Sequence, residues 1–365
     1  MAIIISQSGK NAQKIEQSKF EQEDHLQQYI YNNPESIPLY DIKEDIRLLI
    51  LVREFGTQSG SIDALGVDAD GSIYLIETKL YKNPDKRLVV AQVLDYGASL
   101  WKDGSNFNEF ISSINKGSQK FSKVPVNERI KDHFGFEDNE IEIFWDNIKD
   151  NLNSGDFKFV VLMDQLHKQL KNLIVFLNQN SQFDIYAVEL EYYKHDQFEI
   201  MIPKLFGAEV KKDIAVSSTG VSARKVWTLE SFWEDAKNRL STEELKCIKK
   251  IYKFAVETAD DITLGTGSNS GSFNPKYNNI CIRSFFSVFS DGRIGLNIGY
   301  LDDHNQMKQF CDSLNRYLDI KIIKNIDENR LEHVWPRIPT KELVQNCDKF
   351  IEAIKDFIKK GTTPK

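Results

Sequence analysis

Cysteine, proline and glycine are scarce in this chain of 365 residues, which has four, nine and nineteen of them. Cys247, Cys281, Cys311 and Cys347 stand far apart and form no Cys-x-x-Cys pair. That spacing argues against structural zinc, a redox dithiol or a secreted disulfide framework, and each thiol is expected to be a small buried hydrophobe. The low Gly and Pro content argues against a fibrous or disordered chain. No apolar run approaches the roughly 18 residues that span a membrane; the longest, such as Leu48 to Val52, have strand length. Residues Met1 to Lys10 lack a basic start and a full apolar core, so they are not expected to act as a secretory signal, and a cytoplasmic location is expected. An excess of positive charge is missing too: 47 Lys and Arg stand against 54 Asp and Glu, a net charge of -7. This excludes a wholly basic, histone-like binder but leaves room for a local basic groove on an acidic body.

What is present suffices for two cores. The chain holds 23 Phe and 13 Tyr, and at roughly 150 residues per domain its length suits two domains. Phe20, Leu26, Ile30 and Tyr31 recur at helical spacing, and Pro34 ends that helix. Ile46 to Phe55, Ser61 to Val67 and Ser72 to Leu80 read as strands. Asp70-Gly71 is a hairpin signal between the last two. Helical patterns follow over Asp85 to Lys102 and, more loosely, over Phe107 to Asn153. Phe159 to Met163 is a continuous apolar strand, His167 to Gln179 a helix, and Phe183 to Tyr193 with Phe198 to Pro203 a strand pair. The order predicts an α/β domain over residues 1–205, a mixed sheet covered by helices.

Residues 206–225, with Ser217-Ser218-Thr219-Gly220 and Arg224-Lys225, read as a linker. A C-terminal α+β domain is expected over 226–365. Its helices are placed at Leu229 to Arg239, Thr242 to Thr258, Asp302 to Tyr317 and Lys341 to Lys359, and its strands near Asn279 to Phe289 and Ile294 to Tyr300. Phe273, Tyr277, Phe285, Phe286, Phe289 and Trp335 are mostly core by spacing, with base stacking as the other use of some of them.

The residues that carry chemistry lie in the second and third strands. Asp63 sits in Gly60-Ser-Ile-Asp63-Ala-Leu-Gly66, and Glu77 and Lys79 in Ile76-Glu77-Thr78-Lys79. Alternation along a strand puts Glu77 and Lys79 on one face, and the hairpin can bring Asp63 across from them. Two carboxylates and an ammonium then meet at one spot. Hard carboxylate oxygens suit Mg²⁺, and a nearby lysine can stabilise phosphoryl charge or help ionise a water. An Asp, Glu and Lys in adjacent strands are usually surface residues in weak ion pairs. Here Leu75-Ile76 and Ala64-Leu65 set both carboxylates beside buried positions, where unpaired charge is expensive.

Four pieces in order carry a resemblance. They are Glu23-Asp-His-Leu26 leading to Asn33-Pro34-Glu35, Gly60-Ser-Ile-Asp63-Ala-Leu-Gly66, Asp70-Gly71 followed by Ile76-Glu77-Thr78-Lys79, and Ala91-Gln92-Val-Leu-Asp-Tyr96. Residues Glu23 to Trp101 resemble the PD-(D/E)XK nuclease superfamily, in the branch of NucS-type and related restriction-endonuclease-like proteins, and the likeness runs more loosely to Tyr193. The resemblance implies a restriction-endonuclease-like fold and a Mg²⁺-dependent DNA endonuclease in which Mn²⁺ can substitute. Asp63, Glu77 and the Thr78 carbonyl would hold the metal, and Lys79 would position or activate the attacking water. Glu23 would orient a metal-bound water or touch a second metal. Gln92 would point to the site or the DNA backbone, with Tyr96 one turn on either sharing that role or packing. Ile62, not Pro, precedes Asp63, a departure from the name motif. DNA is the expected partner, no membrane is, and cutting both strands favours a homodimer. A nucleic-acid-binding or regulatory defence protein on the same scaffold is the alternative.

Weaker candidates complete the reading. Glu54, at the end of the first strand, is another candidate carboxylate, but a solvated strand end is expected. Asp68-Ala-Asp70-Gly71 looks like the start of a calcium loop but lacks the later ligands, so a hairpin is expected. Gly265 to Gly271 has phosphate-loop composition without the Gly-Lys-Ser/Thr ending, and a flexible turn is expected. Lys79, Lys82, Lys86 and Arg87 cluster where a helix begins, against the helix dipole, which favours a phosphate contact.

Overall fold

The computed structural model describes residues 2–42, 46–83, 88–103, 106–136, 138–207, 227–265, 270–324, 326, 331 and 335–361. A hairpin of β1 (Ala2–Gln7) and β2 (Lys10–Glu16) comes first, then helix α1 (Glu23–Asn32). The strands β3 (Leu49–Thr57), β4 (Gly60–Val67), β5 (Ile73–Lys79), β6 (Phe157–Met163), β7 (Asp184–His195) and β8 (Phe198–Phe206) form one six-stranded sheet in chain order. β3, β4 and β5 are an antiparallel meander, β5 to β7 run parallel, and β8 returns antiparallel. The parallel step from β5 to β6 needs a crossover. Four helices supply it: α2 (Val89–Asp103), α3 (Phe107–Phe121), α4 (Val126–Phe134) and α5 (Asp138–Ser154). Helix α6 (Lys168–Asn180) makes the next crossover, with His167 Nδ1 accepting the Leu170 N–H as its N-cap.

The central strand explains the apolar run in the sequence. All seven residues of β6 are buried, as a parallel strand covered on both faces requires. The β4–β5 hairpin turns where Asp70-Gly71 predicted it. Gly71 has φ +80°, a left-handed conformation open to glycine at little strain. Asp68 caps the turn: its Oδ1 accepts the N–H groups of Asp70 and Ser72, and its Oδ2 accepts the Tyr74 hydroxyl. The calcium-like spacing is therefore this turn's own hydrogen bonding.

The two faces of the sheet are covered by different helices. Leu26 and Ile30 of α1 pack on Ala64, Tyr74, Ile76, Val160 and Leu162. On the other face α2 lies over β5 and β6, and Gly97 of α2 rests against the rings of Phe157 and Phe159. β5 thus buries alternate residues against two different layers.

The chain divides into two compact units, and residues 129–139 group with the C-terminal one, from 220 onward. Within that unit Arg337 lies over the Phe136 ring at 5.0 Å. Helices α7 (Leu229–Arg239), α8 (Thr242–Thr258), α9 (His304–Tyr317), α10 (Lys321–Lys324), α11 (Thr340–Leu343) and α12 (Cys347–Gly361) accompany an antiparallel sheet. Its order is β13 (Arg337–Pro339), β12 (Arg293–Leu296), β11 (Phe286–Phe289), β10 (Ser272–Lys276) and β9 (Asp261–Leu264). Capping boxes at Thr228/Ser231 and Ser241/Glu244 start α7 and α8. Phe273, Tyr277, Phe285, Phe286 and Phe289 are buried, and Trp335 packs on Tyr300 with centroids 4.6 Å apart. Those five rings serve the core. All four cysteines are buried and unbridged.

Several elements differ from the sequence reading. The β1–β2 hairpin, β9, β10 and β13 went unpredicted. β9 and β13 have four and three residues, too few for alternation to register, and β10 contains Pro275. The strand expected from Asn279 shrinks to Phe286–Phe289, because the N–H groups of Ile280 and Cys281 turn back to the Tyr277 carbonyl. The helix expected over Lys341 to Lys359 is interrupted at Val344–Asn346, a 3-10 turn. Of the expected linker, residues 208–225 lie outside the described residues, as do 266–269 of the Gly265 loop. No helix among the described residues is long and apolar enough to cross a membrane.

Candidate active site

The site forms where β4 and β5 part. Their ladder pairs Val67 with Ile73 and ends at Ala64 with Ile76. Beyond it Asp63 takes the place of a backbone partner: its Oδ2 accepts both the Thr78 N–H and the Thr78 hydroxyl, each at 2.7 Å. Thr78 is fully buried, so these bonds satisfy donors that water does not reach. Neither bond uses Asp63 Oδ1.

Glu77 and Lys79 follow on the face of β5 that α2 covers. Glu77 is 1% exposed. Its Oε1 lies 3.2 Å from Lys79 Nζ, and its Oε2 is buried with no hydrogen-bond partner. Burial and then the Asp63 carboxylate push the Glu77 pKa from its ordinary 4.5 up to about 7, against the opposing pull of Lys79. Burial likewise raises the Asp63 carboxyl, outweighing the Thr78 hydrogen bonds that lower it. At Lys79 burial disfavours the ammonium, but the fields of Glu77, Glu23 and Asp63 outweigh it and the pKa rises. The spot carries more negative charge than its one ammonium balances.

α2 carries Gln92 and Tyr96, of which Tyr96 feels the charges of the spot. Gln92 has its Oε1 buried without a hydrogen-bond partner. Tyr96 is buried, and burial together with the Glu77 and Asp63 charges raises its hydroxyl pKa. Its ring lies on Gly60, where an added Cβ would stand 3.2 Å from Tyr96 Cε1 at a φ of +131°. Only glycine leaves Tyr96 its place at that position.

Glu23 reaches the same spot from the first residue of α1. Its Oε1 accepts the Leu80 N–H at 3.1 Å and the Asn83 amide at 2.9 Å, while Oε2 is 3.8 Å from Lys79 Nζ. Glu23, Asp63, Glu77 and Lys79 are thus mutually close, with Tyr96 in the field of the last three. Glu54 is exposed at a φ of +52°, and it is not among the largest charges that shift Asp63 and Glu77. Of the basic cluster, Lys82 donates to the Glu21 carbonyl at 2.5 Å, and Lys86 and Arg87 lie outside the described residues.

The sequence reading missed Asp164, which follows β6 and accepts the Tyr81 N–H, and Asn83, the partner of Glu23. No local pattern marks either residue. Gly60, two residues before Ile62-Asp63, was a usable signal for a close approach.

Among the described residues no group of three or more His, Cys, Asp or Glu is arranged to hold a metal ion. Asp63 and Glu77 are a pair of carboxylates, and the third acid, Glu23, is engaged by Leu80, Asn83 and Lys79. A pair fits Mg²⁺, which takes one or two carboxylates and keeps several waters. The buried Glu77 Oε2 and the excess negative charge fit a cation as well. No protein-family model, curated protein or solved structure matches the chain.

Proposed function

We propose that this protein is a Mg²⁺-dependent DNA endonuclease of PD-(D/E)XK type, hydrolysing phosphodiester bonds at Asp63, Glu77 and Lys79. One observation carries the reading. Two raised-pKa carboxylates and a lysine meet where two strands part, and the deeper carboxylate keeps a buried oxygen without a partner. A structural ion pair has no need of that oxygen, since burying it unpaired costs about 1–3 kcal/mol. A divalent cation offsets that cost.

Asp63, Glu77 and the Thr78 carbonyl are the residues proposed to hold Mg²⁺, or Mn²⁺ in its place. The ion, when bound, supplies positive charge against the charge that gathers on the phosphate during attack and makes water a better acid. The rest is done by this chain's own groups. Thr78 orients Asp63 through two hydrogen bonds to one oxygen. Lys79, between Glu77 and Glu23, keeps its proton and offers an N–H⁺ to the attacking water or to a phosphate oxygen. Gln92 of α2, whose Oε1 is buried without a partner, is the residue proposed to add an amide on the site or DNA-backbone side. A homodimer belongs to the proposal, because cutting both strands at one place favours two such sites, one for each strand.

The test incubates the purified chain with plasmid, linear, branched and single-stranded DNA in Mg²⁺, Mn²⁺ or EDTA. Asp63→Ala and Glu77→Ala serve as controls. Cleavage in Mg²⁺ or Mn²⁺ that EDTA and both variants abolish is the expected result. DNA retained but uncut in every condition would leave the non-catalytic scaffold as the better reading.

A further inference from the structure

The segment after the Glu-Thr-Lys strand is held from two sides by carboxylates of different elements. From α1, Glu23 Oε1 takes the Leu80 N–H and the Asn83 amide. From the turn after β6, Asp164 Oδ1 takes the Tyr81 N–H at 2.6 Å. The segment also closes on itself, Asn83 N–H to Leu80 carbonyl at 2.9 Å. β5 and β6 run parallel with Lys79 paired to Met163, so Asp164 is the first residue past the ladder, next to where β5 ends.

We infer that Asp164 is a positioning residue for Lys79: with Glu23 it clamps residues 80–83 and so sets where the lysine leaves the sheet. Lys79 is the last residue of the β5–β6 ladder. Its ammonium touches Glu77 Oε1 at 3.2 Å on its own strand, and its contact across to Glu23, at 3.8 Å, is too long for a hydrogen bond. Where the side chain leaves the strand depends as well on the backbone that follows. On that side the backbone hangs from Glu23 by Leu80 and from Asp164 by Tyr81. The inference rests on the proposed nuclease activity, in which Lys79 acts on the reacting groups.

The experiment uses the full chain. Steady-state cleavage of plasmid DNA, Mg²⁺ binding, thermal stability and amide exchange are measured for the wild type, Asp164→Ala and Asp164→Asn. Asp164→Ala should lower kcat by on the order of a hundredfold, as a displacement of about 1 Å does, with KM for DNA and Mg²⁺ affinity unchanged. Its Tyr81 amide should exchange faster. Asp164→Asn keeps an oxygen acceptor for Tyr81, so it should restore kcat and the slow exchange. An Asp164→Ala protein with wild-type kcat would overturn the inference. So would an Asp164→Asn protein with a large loss of kcat, which also decides the matter if the alanine variant does not fold. A wild-type chain that cuts nothing overturns the nuclease reading instead. Wild-type cleavage with an unimpaired alanine variant overturns the positioning role alone.

Discussion

Glu77 and Lys79, two residues apart on one strand face, share only half of the carboxylate: Oε1 is 3.2 Å from the ammonium, and Oε2 is buried with no partner. With Asp63 on the neighbouring strand, the lysine faces two acids whose pKa values are both raised. The pair is strained electrostatically without a cation, and that separates the stability of this site from its proposed activity.

Glu77→Gln should therefore stabilise the metal-free protein at pH 8 while abolishing cleavage. The neutral amide removes a buried charge and its repulsion with Asp63. Thermal unfolding with and without Mg²⁺ checks this. The wild type should gain stability from Mg²⁺ and the variant should gain little. A variant that melts lower than the wild type without metal would contradict the charge argument.

The pH dependence follows from the same shift. The Glu77 pKa is about 7 in the folded chain against an ordinary 4.5, so the folded state holds the proton more tightly. Its contribution is fully present below pH 4.5 and is lost as pH rises through about 7. The loss amounts to about 3 kcal/mol at most. The stability difference between the wild type and Glu77→Gln, measured in EDTA by denaturant titration from pH 5 to pH 8.5, should grow with pH. Saturating Mg²⁺ should flatten it.

Asp63→Ala and Asp63→Asn should differ in stability and agree in activity. Alanine strands the N–H and the hydroxyl of a fully buried Thr78, at about 1–3 kcal/mol for each donor. Asparagine keeps an oxygen for them but loses the charge proposed to hold the ion. Both proteins should fail to cut, and urea unfolding should place the alanine variant well below the asparagine one.

Lys79→Ala should abolish cleavage and leave Mg²⁺ binding in place, because an ammonium is not a ligand. It should also raise the Glu77 pKa further by removing the charge that lowers it. Calorimetric Mg²⁺ titration beside a cleavage assay separates the two effects. Full activity in the purified variant would place the cutting elsewhere.

Much of the first unit was legible because local signals agreed with the final fold. The apolar run at Phe159 to Met163 has the length and make-up typical of a strand covered on both faces, and Asp70-Gly71 could turn the hairpin at little strain. The C-terminal sheet was largely hidden. Strands of three to five residues, one with Pro275 in it, hold their place through neighbours distant in sequence and leave no period to read.

In the site the same division holds. The alternation of β-strand side chains sufficed to put Glu77 and Lys79 on one face, and the hairpin to bring Asp63 near them. The end of the β4–β5 ladder, which turned Asp63 onto Thr78, and the unpartnered oxygens of Glu77 and Gln92 came only with packing. So did the burial of Glu77, since it takes α2 over its face and β6 paired alongside to strip water from a carboxylate. Glu23 and Asp164 meet the segment 80–83 across separations of 57 and 83 residues in the chain, distances at which sequence periodicity carries no information. The chemistry of the residues was thus written in the sequence, whereas the charge state and the positioning of that chemistry were decided by the tertiary fold, because both depend on which distant backbone closes over the site.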